Sequence, residues 1–296
     1  VMWTFKQFYD KWLVYKGKRI SFYSVKLWTP ISNFEVAMDD SYADVNDPAI
    51  TIAFDLSSNL WKWEWVKALV WTTTPRTLPA NMALWVNKAH DYVLISSDWQ
   101  KYVLAKNRLE SVMKGKWEYE VIEELSWEDL VWLSYEPLFD FYKNIVDKNI
   151  NFKVYHADFI TDTDWTWIWH QAPEFWEVDF QLWKEHGLYQ TECIDDECKF
   201  NAQVPDYKGI YVRDVNETII QRLKDESKLF KKENITHRVA ICPRTQVPLL
   251  YRTQDAWFLD VDWLKPKLLE QNQNINWFPS HLKNWRFAKN IETAPD

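Results

Sequence analysis

The scarcity of glycine is the feature of this sequence that most restricts its fold. The 296 residues include four glycines and 21 tryptophans, whereas glycine normally makes up about 7% of a soluble protein and tryptophan is among the rarest residues. Glycine is the usual residue wherever a turn or a helix end requires a positive φ. Other residues must therefore occupy most of the positions at which this chain turns sharply.

Many of the tryptophans lie where a glycine is expected. Trp99 and Trp165 each follow an aspartate, in turns that favour a residue tolerant of positive φ. Trp12 follows a helical pattern that should end on glycine. The segment Trp61–Trp65 would expose three indoles on a loop between two strands.

Five tryptophans do not fit this description. Four lie within apolar or aromatic runs and one, Trp263, is ambiguous; the four are Trp3, Trp71, Trp257 and Trp277. The remaining sixteen, added to the four glycines, restore about the normal share of glycine. We hypothesise that the gene uses UGA as a glycine codon and was translated with a table that reads UGA as tryptophan. The alternative is a protein that is truly rich in tryptophan, and the codons at Trp12, Trp99 and Trp165 distinguish the two.

Targeting signals, cysteines and charge narrow the class of protein. The sequence has no run of eighteen apolar residues and no basic or apolar leader, and it begins in the middle of a pattern, so we expect a cytoplasmic fragment without a membrane partner. Cys193, Cys198 and Cys242 lack the second pair of a tetrahedral zinc site and are expected as free thiols. The net charge of −8 disfavours a generally basic nucleic-acid-binding surface.

The last third of the chain is locally basic, and a nucleic-acid role for it stays open, although such a charge run is usually a solvated face. Its cations are Lys231, Lys232, Lys265, Lys267, Lys283, Arg286 and Lys289.

Short strands dominate the first half of the chain. Apolar and aromatic runs predict strands at 49–54, 67–71, 83–86, 92–95, 101–105 and 119–122, a spacing typical of a barrel or sandwich. Turn residues predict hairpins at 15–24 and 237–260 and a turn at 44–48. Helical spacing predicts helices at 1–13, 108–113, 178–186, 217–232 and 264–271.

Two polar segments carry the residues best suited to chemistry. Residues 71–81 read W-T-T-T-P-R-T-L-P-A-N, and residues 161–179 read T-D-T-D-W-T-W-I-W-H-Q-A-P-E-F-W-E-V-D. Hydroxyls, one imidazole and one carboxylate can together hold a small amino acid and a water. Neither segment has the lysine of a phosphate cradle or a His and Cys cluster for a metal. Taken singly, the threonines are typical of a strand surface, His170 of a satisfied polar group and Asp179 of a helix N-terminus.

With the glycine-like tryptophans read as glycine, residues 161–179 become T-D-T-D-G-T-G-I-G-H-Q-A-P-E-F-G-E-V-D. Together with residues 71–81, this segment resembles the editing domain of the isoleucyl-tRNA synthetases. Four further stretches look like the same family, in the same order along the chain: T-P-I-S-N-F-E-V at 29–36, Y-E-P-L-F at 135–139, Y-R-T-Q-D-A-W-F at 251–258 and I-N-W-F-P at 275–279. The resemblance covers nearly the whole chain, and the joint match outweighs the structural interpretations of single residues.

The resemblance implies an α/β and β-rich fold, in which a β-barrel-like editing domain (CP1) is inserted in a Rossmann-type catalytic core. Residues 1–44 would be the end of the first half of the core, 45–235 the editing domain, and 236–296 the return to the core. The family's ATP-binding signatures H-I-G-H and K-M-S-K-S are absent from the sequence. We therefore expect no ATP-dependent activation from this segment alone, ATP and Mg as cofactors of the full-length synthetase, and no cofactor for editing.

The resemblance also implies a reaction. A pocket that selects isoleucine rejects valine poorly, because one methylene is worth about 1–3 kcal/mol, a limit for which isoleucyl-tRNA synthetases are the standard illustration. The editing site is expected to admit valine attached to the 3′ end of tRNA(Ile), to exclude isoleucine by size, and to hydrolyse the ester.

Roles for single residues follow from the same resemblance. Asp179 would hold the substrate α-ammonium by a charge-assisted bond, and His170 would act as the size filter at the pocket wall. Asn81 would anchor the loop whose hydroxyls face the ribose, the carbonyl and the attacking water, namely those of Thr72, Thr73, Thr74 and Thr77. Since no nucleophile–base pair is in view, we expect catalysis by a positioned water without a covalent intermediate. Thr74, His170 and Asp179 are expected around one cleft.

Two departures and two alternatives accompany this interpretation. Arg76 stands where the family usually has tryptophan, and three indoles at 165, 167 and 169 would fill a pocket that glycines would open to the substrate. A valyl- or leucyl-type editing domain is one alternative, although those families usually show T-T-R-P where this chain has T-T-T-P. The other is a non-catalytic RNA-binding β module that docks the acceptor end.

Overall fold

A mixed sheet of ten strands builds most of the unit formed by Ile20–Thr253. The computed structural model describes residues 1–38, 41–57, 61–115, 118–157 and 168–293. A second unit contains Val1–Arg19 and Gln254–Asp296. The boundaries between synthetase domains that the resemblance places at 44/45 and 235/236 stay predictions.

The strands are β1 (Val14–Ser24), β2 (Thr29–Ile31), β3 (Tyr42–Ser57), β4 (Val66–Thr72), β5 (Ala83–Val86), β6 (Tyr92–Ser97), β7 (Gln100–Ala105), β8 (Tyr119–Leu125), β9 (Ser134–Tyr135), β10 (Lys153–His156), β11 (Trp169–Gln171), β12 (Leu229–Ala240) and β13 (Leu250–Leu259). The α-helices are α1 (Met2–Asp10), α2 (Asn33–Val36), α3 (Leu109–Met113), α4 (Glu177–His186), α5 (Asn216–Asp225), α6 (Lys265–Asn272) and α7 (Lys289–Thr293).

The order of the large sheet is β11-β5-β10-β9-β3-β4-β7-β6-β8, with β12 paired along β3. Three further strands form a separate sheet in the order β13-β1-β2. The expected α/β, β-rich class is confirmed. The path of the large sheet is open from β11 to β8, so the described strands do not close into a barrel.

The core lies against the strands that lead into and out of the threonine segment. All four residues of β5 are buried, as are five of the seven residues of β4. Ile219, Ile220 and Leu223 of α5 belong to the same apolar cluster as these strands. Fully burying one such side chain contributes roughly 1.5–3 kcal/mol. The loop between β4 and β5 is therefore held between two rigid strands and a helix.

Most of the predicted elements are confirmed, and three local predictions are wrong. Residues 15–24 lie in the single strand β1 and not in a hairpin. Residues 44–48 lie inside β3, because pairing with β12 continues from Tyr42 to Ile52 and overrides local turn propensity. Pro48 is tolerated there because it precedes Ile50, where pairing with β4 begins. The helix predicted at 217–232 ends at Asp225, and the chain continues as β12.

The hairpin predicted at 237–260 is formed only at its turn. An antiparallel bridge joins Ile241 to Pro248, but β12 then pairs with β3, whereas β13 belongs to the three-stranded sheet. Beyond the turn, β12 and β13 therefore pair with other strands and not with each other.

Backbone angles bear on the tryptophan hypothesis. In the described ranges, ten residues other than glycine have a positive φ, and five of them are tryptophans: Trp12, Trp28, Trp65, Trp99 and Trp132. Trp12 lies two residues beyond α1, at φ 60°, where a helix commonly ends on glycine. All five belong to the sixteen in glycine-like contexts. Trp85, also among the sixteen, is instead fully buried in β5 and does not have a positive φ.

Helices long and apolar enough to cross a membrane are absent from the described part of the chain.

Candidate functional site

The loop after β4 is a buried turn that begins with the threonines. Thr72 is the last residue of β4, and residues Pro75–Ala80 form a 3-10 turn in which every residue is buried. Proline suits the first turn of a helix because its fixed φ matches the helix and its missing N–H is not needed there. The backbone N–H of Thr77 donates to the carbonyl of Thr74 at 2.9 Å, which closes the turn. The threonine hydroxyls are therefore held by a rigid backbone.

Three of these hydroxyls and His170 form one hydrogen-bonded group. The hydroxyl oxygen of Thr74 lies 3.3 Å from that of Thr72 and 3.2 Å from that of Thr77. Nε2 of His170 lies 3.3 Å from the Thr72 hydroxyl and 3.2 Å from the Thr77 hydroxyl. His170 reaches them because β11 pairs with β5, which places His170 opposite Leu84. The structure thus brings together Thr72, Thr74, Thr77 and His170.

The hydrogen-bond pattern determines the state of the imidazole. The Thr77 hydroxyl has one proton, and its shortest contact is 2.8 Å to the carbonyl oxygen of Thr74, to which it donates. When it donates there, its contact with His170 is accepted from Nε2–H, and the lone pair lies on Nδ1, which has no partner among the described residues. Burial lowers the pKa of His170 to about 4. His170 is therefore neutral at pH 7 and a weak base.

Asn81 ties the end of the loop to three neighbouring segments. Its amide nitrogen donates to the carbonyls of Ala83, at 2.9 Å, and Gln171, at 3.3 Å. Its Oδ1 accepts the hydroxyl of Tyr135 at 2.6 Å. All these groups are buried, where water does not reach them, so they depend on each other for hydrogen bonds.

Asp179 is a buried carboxylate in the first turn of α4, and it bonds to the backbone two residues after His170. It is 2% exposed, and its Oδ2 accepts the backbone N–H of Ala172 at 2.7 Å. Gln171 donates from its side chain to the backbone carbonyl of Asp179 at 2.8 Å. Burial raises the pKa of Asp179 to about 7, and the bond from Ala172 opposes this shift. No lysine or arginine bonds to this carboxylate among the described residues.

A cavity of about 320 Å³ lies on one side of the threonine loop. Thr73, Thr74 and Thr77 are among its lining residues, whereas His170 and Asp179 are not. Both side chains are buried. Thr74 lines this cavity without His170 and Asp179, so the expectation that these three residues surround one cleft is not met in the part of the chain that the structure describes. Residues 161–167 of the predicted site segment lie outside the described residues.

Sequence reasoning missed several polar groups that complete this region. Gln171 and Tyr135 hold Asp179 and Asn81, and both lie within stretches that carried the resemblance. The position of Gln171 directly after His170 was the signal available for it. Asp47, Arg213 and His237 also line the cavity, but they are far apart in the sequence and share no motif.

Among the described residues, no group of three or more His, Cys, Asp or Glu is placed to hold a metal ion.

Comparison with solved structures gives matches to two editing domains. The editing domain of P. falciparum cytosolic leucyl-tRNA synthetase is 12% identical, with a TM-score of 0.45, and the match covers 62% of this chain and 98% of that domain. The P. knowlesi editing domain is 11% identical, with a TM-score of 0.44, and the match covers 66% and 97%.

Sequence comparison shows the family to which the chain belongs. The isoleucine–tRNA ligase of Chlamydia trachomatis serovar A is 38% identical over 298 residues, and that of Wolbachia pipientis wMel is 36% identical over 338 residues. Each match covers 100% of this chain, which spans 28% and 30%, respectively, of the length of these relatives. The family described as tRNA synthetases class I (I, L, M and V) matches residues 1–296. The chain therefore belongs to the class I aminoacyl-tRNA synthetases of the isoleucyl, leucyl, methionyl and valyl group.

Proposed function

We propose that this chain is the editing part of an isoleucine–tRNA ligase and hydrolyses valine from the 3′ end of tRNA(Ile). The identity to isoleucine–tRNA ligases over the whole chain supports the amino acid and tRNA assignment. The observation that carries the proposal is the hydrogen-bonded group of Thr72, Thr74, Thr77 and His170, next to a buried carboxylate. ATP and Mg are assigned to the complete ligase, and no cofactor to editing.

The reaction is the addition of water to an ester. A water oxygen bonds to the carbonyl carbon of the valyl ester, the bond to the ribose oxygen breaks, and that oxygen takes a proton. The products are free valine and a tRNA with its terminal hydroxyl restored. Fixed hydroxyls lower the barrier by holding the water and the carbonyl in position before the reaction.

Asp179 is assigned to the α-ammonium of the substrate. An ammonium close to a buried carboxylate favours its charged form, and the pair forms a charge-assisted hydrogen bond stronger than a neutral one. Without a substrate, burial raises the pKa of Asp179 to about 7 against the opposing bond from Ala172. A cationic substrate would lower the pKa of Asp179 again, because its ammonium attracts the charged carboxylate. That attraction would supply part of the binding energy.

His170 is assigned to the wall that limits substrate size. Its pKa of about 4 makes it a weak base at neutral pH, and Nε2 is occupied by the threonine hydroxyls. A neutral, buried ring fills space without attracting the charged end of the substrate. Replacing it with alanine is expected to let Ile-tRNA(Ile) be hydrolysed as well as Val-tRNA(Ile).

Replacement of Asp179 by alanine tests the proposal. We expect Asp179→Ala to slow single-turnover hydrolysis of Val-tRNA(Ile) by about 10- to 100-fold, because a hydrogen bond to a charged group is worth roughly 1.5–3 kcal/mol. Glu177→Ala is the matched control, since Glu177 lies in the same turn of α4 but is exposed. It should hydrolyse at the rate of the unaltered chain.

tRNA binding, measured on the same proteins, separates the enzyme from a non-catalytic RNA-binding module. Slower hydrolysis with unchanged tRNA affinity supports the editing function. Loss of affinity in Asp179→Ala, with no hydrolysis by the unaltered chain or by a version with glycine at 165, 167 and 169, would support the module instead.

A further inference from the structure

A buried arginine that forms no ion pair with any described residue lies in the threonine loop. Arg76 is 8% exposed, and its Nη1 has no hydrogen-bond partner among the described residues. Its backbone N–H donates to Oδ1 of Asn216 at 3.0 Å, which fixes this part of the loop to the first residue of α5. Burial lowers the pKa of Arg76 to about 10, so the side chain remains charged at neutral pH. A buried charge is costly unless a group of opposite charge pairs with it.

The nearby carboxylate already has two other partners, an arginine and an imidazole. Asp47 is the only carboxylate among the described residues that line the cavity. Its Oδ2 accepts Nη2 of Arg213 at 3.3 Å and lies 3.0 Å from Nε2 of His237. Arg213 also repels Arg76, since its charge lowers the pKa of Arg76 further. The charge of Asp47 raises the pKa of Arg76, but no carboxylate in the described cavity wall forms an ion pair with Arg76.

The cavity as a whole carries an excess of positive charge. Arg76, Arg213 and Arg238 all line it, against the single carboxylate of Asp47. Its volume of about 320 Å³ falls within the range of small-molecule sites, roughly 300–1,000 Å³. These charges favour an anion, and the planar guanidinium of arginine binds phosphate through two parallel hydrogen bonds.

Aromatic rings line the same cavity. Phe22 and Tyr251 are stacked with their ring centroids 4.0 Å apart. Nucleobases stack on aromatic side chains with little dependence on sequence. An arginine beside aromatic faces is therefore suited to a phosphate that is carried on a nucleotide.

We propose that this cavity is a phosphate-binding site with Arg76 as its principal contact, and that it holds a phosphodiester at the 3′ end of the RNA substrate. The phosphate site rests on the cavity itself, whereas its assignment to RNA rests on the proposed function. Arg76 is then a positioning residue, which fixes the end of the RNA so that the ester reaches the threonine hydroxyls.

Binding of adenosine 5′-monophosphate to the 296-residue chain is the first test, with adenosine and inorganic phosphate as comparison probes and equilibrium dialysis as the measurement. Arg76→Gln removes the charge and keeps a polar side chain. We expect it to weaken binding of adenosine 5′-monophosphate at least tenfold and binding of adenosine by less than twofold. Arg19→Gln, at an exposed position that does not line the cavity, is the matched control and should bind like the unaltered chain.

Thermal unfolding shows whether the Arg76→Gln variant is folded. Without ligand, Arg76→Gln should melt no lower than the unaltered chain, because it removes an uncompensated buried charge. Inorganic phosphate should raise the melting temperature of the unaltered chain but not of Arg76→Gln. Arg76→Lys, which keeps the charge and loses the planar fork, should retain part of the phosphate effect. Equal binding of adenosine 5′-monophosphate by Arg76→Gln and the unaltered chain, or no binding to either, would overturn the phosphate site.

Hydrolysis of Val-tRNA(Ile) distinguishes the two sources of phosphate. If the site holds RNA, Arg76→Gln raises KM, leaves kcat nearly unchanged and reduces the salt dependence of binding. An unchanged KM with lost binding of adenosine 5′-monophosphate would overturn the RNA assignment and leave a site for a free nucleotide. Binding that depends on Arg76 in a chain without hydrolytic activity would contradict the proposed function but support the phosphate site.

Discussion

The Nε2 atom of His170 lies 3.2 Å from the hydroxyl oxygen of Thr77, 93 positions earlier in the chain. The contact joins β11 to the loop after β4 and completes a chain of hydrogen bonds through Thr74 and Thr72. None of the four side chains in this chain of bonds is ionised at neutral pH. The group is therefore neutral, ordered and able to offer hydroxyls without a competing charge.

Removal of the Thr77 hydroxyl should destabilise the fold. Thr77→Val keeps the size of the side chain but leaves the imidazole N–H and the Thr74 carbonyl with one partner fewer, which costs about 1–3 kcal/mol of unfolding free energy. Urea unfolding monitored by circular dichroism measures the change. Thr236→Val, at an exposed position of β12, should stay within about 0.5 kcal/mol of the unaltered chain. A similar stability for both variants would argue against the hydrogen-bonded group.

Asn81 and Tyr135 should act as a coupled pair. The Tyr135 hydroxyl donates to Oδ1 of Asn81 at 2.6 Å in a buried setting. In a double-mutant cycle with Asn81→Ala and Tyr135→Phe, we expect the two losses of unfolding free energy to fall short of additivity by about 0.5–3 kcal/mol. Tyr92→Phe combined with Asn81→Ala provides the control cycle. Additive losses in the first cycle would be inconsistent with a direct bond.

The protonation of Asp179 should be visible in the pH dependence of stability. Its pKa rises from an ordinary 3.8 to about 7 in the folded chain, so between these values the folded state binds the proton more tightly. This residue therefore lowers the unfolding free energy as the pH rises from about 4 to 7. Asparagine cannot titrate, and Asp179→Asn should become more stable relative to the unaltered chain across that window, by up to about 4 kcal/mol.

Urea unfolding at a series of pH values between 4 and 8 makes that comparison. The contribution of His170 has the opposite sign, since its pKa of about 4 makes stability fall as the pH drops below 6.5. It is present in both proteins and cancels in the difference. Glu177→Gln is the control, and a difference between Asp179→Asn and the unaltered chain that does not change with pH would exclude a raised pKa.

Glycine should be preferred at the tryptophans with a positive φ. Trp99 is fully exposed at φ 64°, so its replacement by glycine relieves a conformation that costs an ordinary residue about 1–2 kcal/mol and loses no buried contact. Glycine also gives the unfolded chain more freedom, and the net gain in unfolding free energy should be about 0.5–1 kcal/mol. Trp71→Gly, inside β4, should instead destabilise the chain. Stabilisation at neither Trp99 nor Trp12 would count against the glycine hypothesis.

The sequence predicted the strands around the site because β4, β5, β6 and β7 are apolar runs bounded by turn residues. It also pointed to Thr72, Thr74, Thr77, His170 and Asp179, although only through their joint resemblance to a family. Their catalytic and binding roles stay predictions.

Long-range pairing accounts for what the sequence did not predict. Residues 44–48 have the composition of a turn but lie in β3, because β12 pairs with them from nearly 200 positions away. The contact between Asp47 and His237 joins the same two strands and depends on the same pairing. No local pattern encodes contacts of this kind.

The most direct test of the account compares hydrolysis of Val-tRNA(Ile) and Ile-tRNA(Ile) in parallel single-turnover reactions. The chain as it stands and a version with glycine at positions 165, 167 and 169 are both measured. The account predicts that the glycine version is the faster enzyme and cleaves the valyl ester at least tenfold faster than the isoleucyl ester, the discrimination that one methylene can provide. Equal cleavage of the two esters, or none by either version, would contradict it.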